Sequence, residues 1–154
     1  MSDLQGSIDV RHIYKIFGAE ANTAMRLLKE GVSKKEILAK VGCNVGLNDV
    51  SMHIPAGKIF VIMGLSGSGK STLVRHFNRL IEPTSGEILV NGHNVLSCDP
   101  AGLRTLRRQT MSMVFQGFGL LPHKTVCDNV GYGLSVRGEK SAEALARIQH
   151  WIER

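Results

Sequence analysis

The residues whose types and spacing carry the most specific chemistry are Gly64-Leu65-Ser66-Gly67-Ser68-Gly69-Lys70-Ser71. They satisfy the G-x-x-x-x-G-K-[ST] spacing of a Walker A loop. Such a loop wraps a polyanion in backbone N–H groups, and glycines at 64, 67 and 69 allow approaches that a Cβ would obstruct. Lys70 then reaches the β and γ phosphates and assists transfer, while the Ser71 hydroxyl joins the Mg2+ shell. A helix starting at the loop's end turns its positive pole toward the phosphates. Gly64, Leu65, Ser66, Gly67, Ser68, Gly69, Lys70, Ser71 and Thr72 are therefore the expected nucleotide-phosphate-binding residues. Chance supplies the pattern in below roughly 1% of chains this long. A glycine-rich turn without a ligand is the minor alternative. The dinucleotide fingerprint fails, because a start at Gly67 would require glycine where Thr72 stands.

Gln116 is the second candidate. It ends an apolar run, Met111-Ser112-Met113-Val114-Phe115, and precedes Gly117, a position from which an amide reaches a metal and an attacking water. Taken alone, a glutamine there is usually a plain loop residue. The stretch Gly117 to Pro122 reads either as core or as a patch that docks another protein.

The elements that position these groups follow from periodicity. Ile8, Val10, His12 and Tyr14 alternate as a strand leading to Phe17. Ala21, Ala24, Met25 and Leu28 recur at helical spacing. Ser33 with Glu36 forms a capping box for a short helix that Gly42 closes. Val50, Met52 and Ile54 alternate as another strand. Ile59 to Met63 is apolar throughout, as expected of a strand covered on both faces in a parallel sheet. The loop follows, then a helix with Leu73, Val74, Phe77, Leu80 and Ile81 as its buried stripe. Glu87 to Val90 with Asn91-Gly92 reads as a strand entering a tight turn. Asp99-Pro100 opens a short basic helix, and Met111 to Phe115 is a further strand. Thr125 with Asp128 caps one helix, and Ser141 opens a last one carrying Leu145, Ile148 and Ile152. One α/β domain over residues 1–154 is the expectation.

Composition excludes several classes. At 43% hydrophobic and 21% charged the 154 residues are globular, not disordered. The longest apolar run falls far short of the roughly 18 residues that span a bilayer. Met1 to Gly6 shows no export signal. Cys43, Cys98 and Cys127 form neither a disulfide framework nor a metal knuckle. The chain reads as soluble and cytoplasmic. A net charge of +6 is modest. Arg104, Arg107 and Arg108 share a helix face without interleaved aromatics, so a solvated face is preferred and no nucleic-acid partner is expected.

The loop, the Met113-Val114-Phe115-Gln116 strand and the Cys127-Asp128-Asn129-Val130 stretch resemble ATP-binding cassette (ABC) transporter ATPases. Residues 59–72, Phe77-Asn78-Arg79-Leu80-Ile81-Glu82-Pro83 and a helical insert from about 19 to 41 are similar to the ATP-binding subunits of bacterial importers for glycine betaine, proline and choline. The resemblance implies the N-terminal portion of a P-loop nucleotide-binding domain, with an N-terminal antiparallel β element and that insert. By the same resemblance, Phe17 matches the aromatic that stacks on adenine, although a core phenylalanine reads equally well. Gln116 matches the Q-loop glutamine, a catalytic group that contacts Mg2+ and senses the membrane subunit. The implied partners are a membrane permease subunit and a second nucleotide-binding subunit. The implied location is the cytoplasmic face of the inner membrane, peripherally attached.

Family members carry a Leu-Ser-Gly-Gly signature, an Asp-Glu pair ending a Walker B strand, and a switch histidine. No Asp-Glu pair occurs here, and Leu134-Ser135-Val136-Arg137 is not the signature. The chain is expected to bind ATP within an ATPase subunit energising osmoprotectant import, without efficient hydrolysis by itself. The competing reading is a nucleotide-binding or interaction module without turnover. Strands lacking their neighbours are expected to leave the chain weakly stable, sticky or rearranged at its edge.

Overall fold

The computed structural model describes residues 6–117 and 119–154. The opening Met1 to Gln5 and Phe118 of the apolar stretch lie outside them. The chain is α/β and divides into two units, Met1–Leu103 and Arg104–Arg154.

In the first unit, strands β1 (Ile8–Phe17), β2 (Asn44–Ile54), β3 (Ser85–Val90) and β4 (His93–Asn94) form one antiparallel sheet in the order β2-β1-β3-β4. Ile8 faces Ile54 on one side and Val90 on the other. The β3–β4 hairpin turns on Asn91 and Gly92, both left-handed as a tight hairpin requires.

The alternation expected along β1 changes phase at a bulge. Val10 pairs with Met52 but Ile13 with Val50, so three steps on β1 match two on β2; the reverse follows between Ile13 and Lys15. His12 and Asp49 take up the irregularities in left-handed conformations, φ 49° and 51°. Val10, Ile13 and Ile16 consequently form the buried row, and His12 points outward with its ring 2.8 Å from the Asp49 carboxylate. Gly86 lies opposite this bulge with φ +109°. A Cβ there would meet the His12 carbonyl and come within 2.7 Å of the Arg11 carbonyl.

Helices α1 (Ala21–Lys29) and α2 (Lys34–Val41) occupy the expected insert. Ser33 and Glu36 make the full capping box: the Glu36 amide donates to Ser33 Oγ at 3.3 Å and the Ser33 amide to Glu36 Oε2 at 3.1 Å. The Ser33 hydroxyl, which donates to Glu36 Oε2 at 2.7 Å, and then the Ser33 amide hold the Glu36 carboxyl below its ordinary range. Ile16, Ala24, Ile37, Cys43 and Val45 make a core against which Met25, Leu28 and Val41 pack. Helix α3 (Lys70–Phe77) buries Leu73, His76 and Phe77. Val74 and Leu80 are exposed, so the expected five-residue stripe is narrower.

The expected strands at 59–63 and 111–115 are not strands. Both run as irregular chain, with Ile59 96%, Val61 67%, Met63 85% and Val114 91% exposed. A strand is stable only when a neighbour satisfies its backbone groups, and among the described residues none pairs with either segment.

Helix α4 (Pro100–Thr105) opens where Asp99 Oδ1 accepts from the Gly102 amide at 2.7 Å, and a wider turn continues it to Thr110. In the second unit, α5 (Val126–Val130) and α7 (Ala142–Ile152) begin as expected, with Thr125 and Asp128 forming a capping box and Ser141 an N-cap, and α6 (Tyr132–Arg137), which the sequence reading did not anticipate, lies between them. Leu145 and Ile152 are nevertheless exposed, whereas Ala144 is buried and Ile148 is half-buried.

Candidate nucleotide-phosphate site

The loop at 64–69 is built by one turn and one seat. The Ser68 amide donates to the Leu65 carbonyl at 3.2 Å, and Gly69 caps α3 in a left-handed conformation, φ +94°. A Cβ on Gly69 would lie 2.7 Å from the Gly46 carbonyl oxygen and 2.9 Å from Leu47 Cδ2. The loop thus rests directly on the backbone of β2, and only glycine permits it.

From Gly69 the chain turns into helix. The Leu73 amide donating to the Gly69 carbonyl at 2.8 Å is the first bond of the turn. The amides ahead of it have no intrahelical acceptor and project from the positive end of α3. Lys70 Nζ folds back over the loop, donating to the Gly64 and Leu65 carbonyls at 2.8 and 2.6 Å and approaching Ser68 Oγ at 3.4 Å. A cation is thereby held by loop carbonyls near the unpaired amides of the helix start. That cation and those amides suit a polyphosphate, and the exposed hydroxyl of Ser71 is chemically fit to join a hard cation's oxygen shell.

Phe17 ends β1, pairs with Asn44 and is 41% exposed, so it is not a core side chain. Lys15 Nζ lies 5.0 Å from its ring centroid. The ring covers Gly46: a Cβ there would come within 2.8 Å of Phe17 Cε2. The same Gly46 carries the carbonyl on which Gly69 rests. Phe17 and the loop therefore share one backbone neighbour.

Sequence reading passed over Gly46. Its signal was available, since glycine inside a strand marks a close approach by another group.

Gln116 lies in the second unit, exposed in a turn after the irregular segment 111–115. Around it the unit is organised by Asn129. Its Oδ1 accepts from the Leu121 amide at 2.7 Å, and its Nδ2 donates to the carbonyls of Leu121, Lys124 and Thr125. One amide side chain thus pins the loop after Gln116 to α5, a role the sequence reading missed.

Among the described residues, no cluster of three or more histidine, cysteine or acidic side chains could hold a metal. No described helix is long and apolar enough to cross a membrane.

Known proteins are similar to this chain. The glycine betaine/proline betaine transport system ATP-binding protein ProV of Escherichia coli (strain K12) is 45% identical over 148 residues, covering 92% of this chain and 37% of that protein. The glycine betaine/carnitine transport ATP-binding protein GbuA of Listeria monocytogenes serotype 1/2a (strain 10403S) is 49% identical, again over 92% of this chain and 37% of the relative. The chain thus spans little more than a third of these relatives. The dimeric structure of MJ0796, a bacterial ABC transporter cassette, superimposes with a TM-score of 0.70 at 28% identity, covering 91% of this chain and 53% of that one. A post-hydrolysis dimer of the same cassette, bound to ADP and Pi, gives 0.72 at 28% identity, over 93% and 54%. With the ABC transporter profile matching residues 47–154, well over half of the chain, the chain belongs to the ABC transporter family.

Proposed function

We propose that the chain binds Mg-ATP on residues 64–72 and forms the N-terminal part, residues 1–154, of the ATPase subunit that energises import of a quaternary-amine osmoprotectant. The observation that carries this reading is the Lys70 ammonium held among the loop carbonyls at the start of α3. The amides of Gly67 and of Gly69 to Thr72 bind phosphate oxygens, the Ser68 amide holds the turn to Leu65, and Gly64 with Leu65 and Ser66 shapes the rim. Lys70 exchanges its contacts with the loop carbonyls for the β and γ phosphates, neutralising charge as the phosphoryl group leaves. Bound Mg2+ supplies charge neutralisation between the phosphates. Ser71, in the first unit, is its proposed ligand, and Gln116, in the second unit, is proposed from the family resemblance to orient water. Phe17, exposed over Gly46, offers a ring face for adenine.

The relatives' names support the import system and its class of solute. The proposed partners are a membrane permease subunit and a second nucleotide-binding subunit, the latter supported by the dimeric cassette. The proposed location is peripheral, on the cytoplasmic face of the membrane. Mg-ATP titration of the wild type against Lys70→Ala, with phosphate release followed in parallel, tests the reading. Saturable binding that Lys70→Ala abolishes supports it, and equal binding by both overturns it.

A further inference from the structure

The helix that presents Lys70, Ser71 and Thr72 carries a titratable group where a purely structural helix would carry an aliphatic one. His76 has no exposed surface. Its Nδ1 lies 2.5 Å from the Thr72 carbonyl oxygen, and a carbonyl only accepts, so Nδ1 carries the proton. Nε2 is then left with a bare lone pair, buried and without a partner among the described residues. Burial of this kind requires the neutral ring.

We propose that His76 is a positioning residue for the phosphate loop that holds only while its imidazole is neutral, so that nucleotide binding weakens on acidification. This rests on the assignment of residues 64–72 to nucleotide phosphate. The physical reasons converge. Protonation would place a second N–H, at Nε2, where no acceptor waits. It would also create a cation near the Lys15 ammonium of β1, which is itself held by the Glu82 carbonyl at 2.8 Å. The other titratable groups on the neighbouring strands are engaged on the exposed side: Asp49 with His12, His53 with Asp9, and Glu87 with Arg11. None offers His76 a counter-charge. Desolvation lowers its pKa first; the Thr72 carbonyl opposes that shift, and Lys15 adds to it. The charged ring is accommodated only by moving out of its site. That movement breaks the bond to Thr72, the last residue of the cradle.

The linkage has a definite sign. A histidine with a lowered folded pKa favours the folded arrangement at pH above its ordinary value near 6.5, and that preference is lost as pH falls toward the folded value. Within that window one proton is taken up on release, so the equilibrium moves by up to about tenfold per pH unit.

Two measurements on the whole chain decide the matter. The first is the ring 15N spectrum of His76 as a function of pH. It is expected to show the Nδ1–H tautomer and a midpoint below about 6.5; a midpoint at or above that value overturns the proposal. The second is Mg-ATP affinity from about pH 7.5 to about pH 5.5 in wild type and His76→Leu, with His76→Met as a second apolar variant should the first fail to fold. ATP's own titration and the other five histidines affect all proteins alike. The wild type is expected to lose more affinity than the variant over this range, by up to about tenfold per pH unit. Parallel profiles would overturn the proposal while leaving the phosphate site standing. No wild-type binding at the upper pH would remove both.

Discussion

Gly69→Ala is the substitution that interrogates the phosphate cradle most sharply. Two costs combine at this position. The left-handed backbone, φ +94°, costs an L-residue about 1–2 kcal/mol. The new Cβ would also sit 2.7 Å from the Gly46 carbonyl oxygen and 2.9 Å from Leu47 Cδ2. The Leu47 methyl can rotate aside, but the carbonyl belongs to a paired strand, so the loop must lift. Overpacking of this kind costs about 1–3 kcal/mol. The lower ends alone give about 2 kcal/mol, which is roughly a 30-fold loss of affinity at about 1.4 kcal/mol per decade. Calorimetric or fluorescence titration with Mg-ATP reads this directly, with circular dichroism confirming the fold. Gly57→Ala is the control, because Gly57 also has positive φ, +67°, but nothing within 4 Å of the built Cβ. Gly69→Ala binding within about threefold of wild type, with the fold intact, would refute the seating of the loop on β2 as the source of the cradle's shape.

Other consequences are as readily checked. Ser33→Ala removes the cap of α2 and is expected to cost about 1 kcal/mol in urea unfolding with the slope unchanged. The Glu36 carboxyl is held low first by the Ser33 hydroxyl and then by its amide. Its contribution is therefore present above the ordinary carboxyl range and lost as pH falls through the folded value, and Ser33→Ala should flatten that acid limb. Asn129→Ala leaves the Leu121 amide and the carbonyls of Leu121, Lys124 and Thr125 without its four bonds. Hydrogen exchange and proteolysis at 121–125 should accelerate while α1 and α2 are unaffected; unchanged protection would discount the pin. Val61→Lys should reduce binding of an apolar dye, because Val61 is 67% exposed in an uncharged run; unchanged dye binding would place the sticky surface elsewhere.

What could be read from sequence was what is decided locally. The capping boxes at Ser33 and Thr125, the N-cap at Ser141 and the left-handed close at Gly42 depend on residues within one turn, and all four are present. The start of α3 was legible for the same reason: Gly69 caps it in a left-handed conformation, and Lys70 Nζ reaches carbonyls only five and six residues back. What failed depended on distant partners. Strict alternation along β1 missed the bulge at His12, because Gly86 and Asp49 come from other strands. Ile59 to Met63 has every local mark of a strand yet no pairing neighbour among the described residues. Gly46 became meaningful only when Phe17 and Gly69 were seen on either side of it.

The central assertion, that the segment 64–72 grips a nucleotide triphosphate, is tested most directly by isothermal calorimetry of Mg-ATP into the folded chain. Saturable heat at one site per chain is expected, lost in Lys70→Ala. Its absence in folded wild-type protein, or its persistence in the variant, would contradict the account.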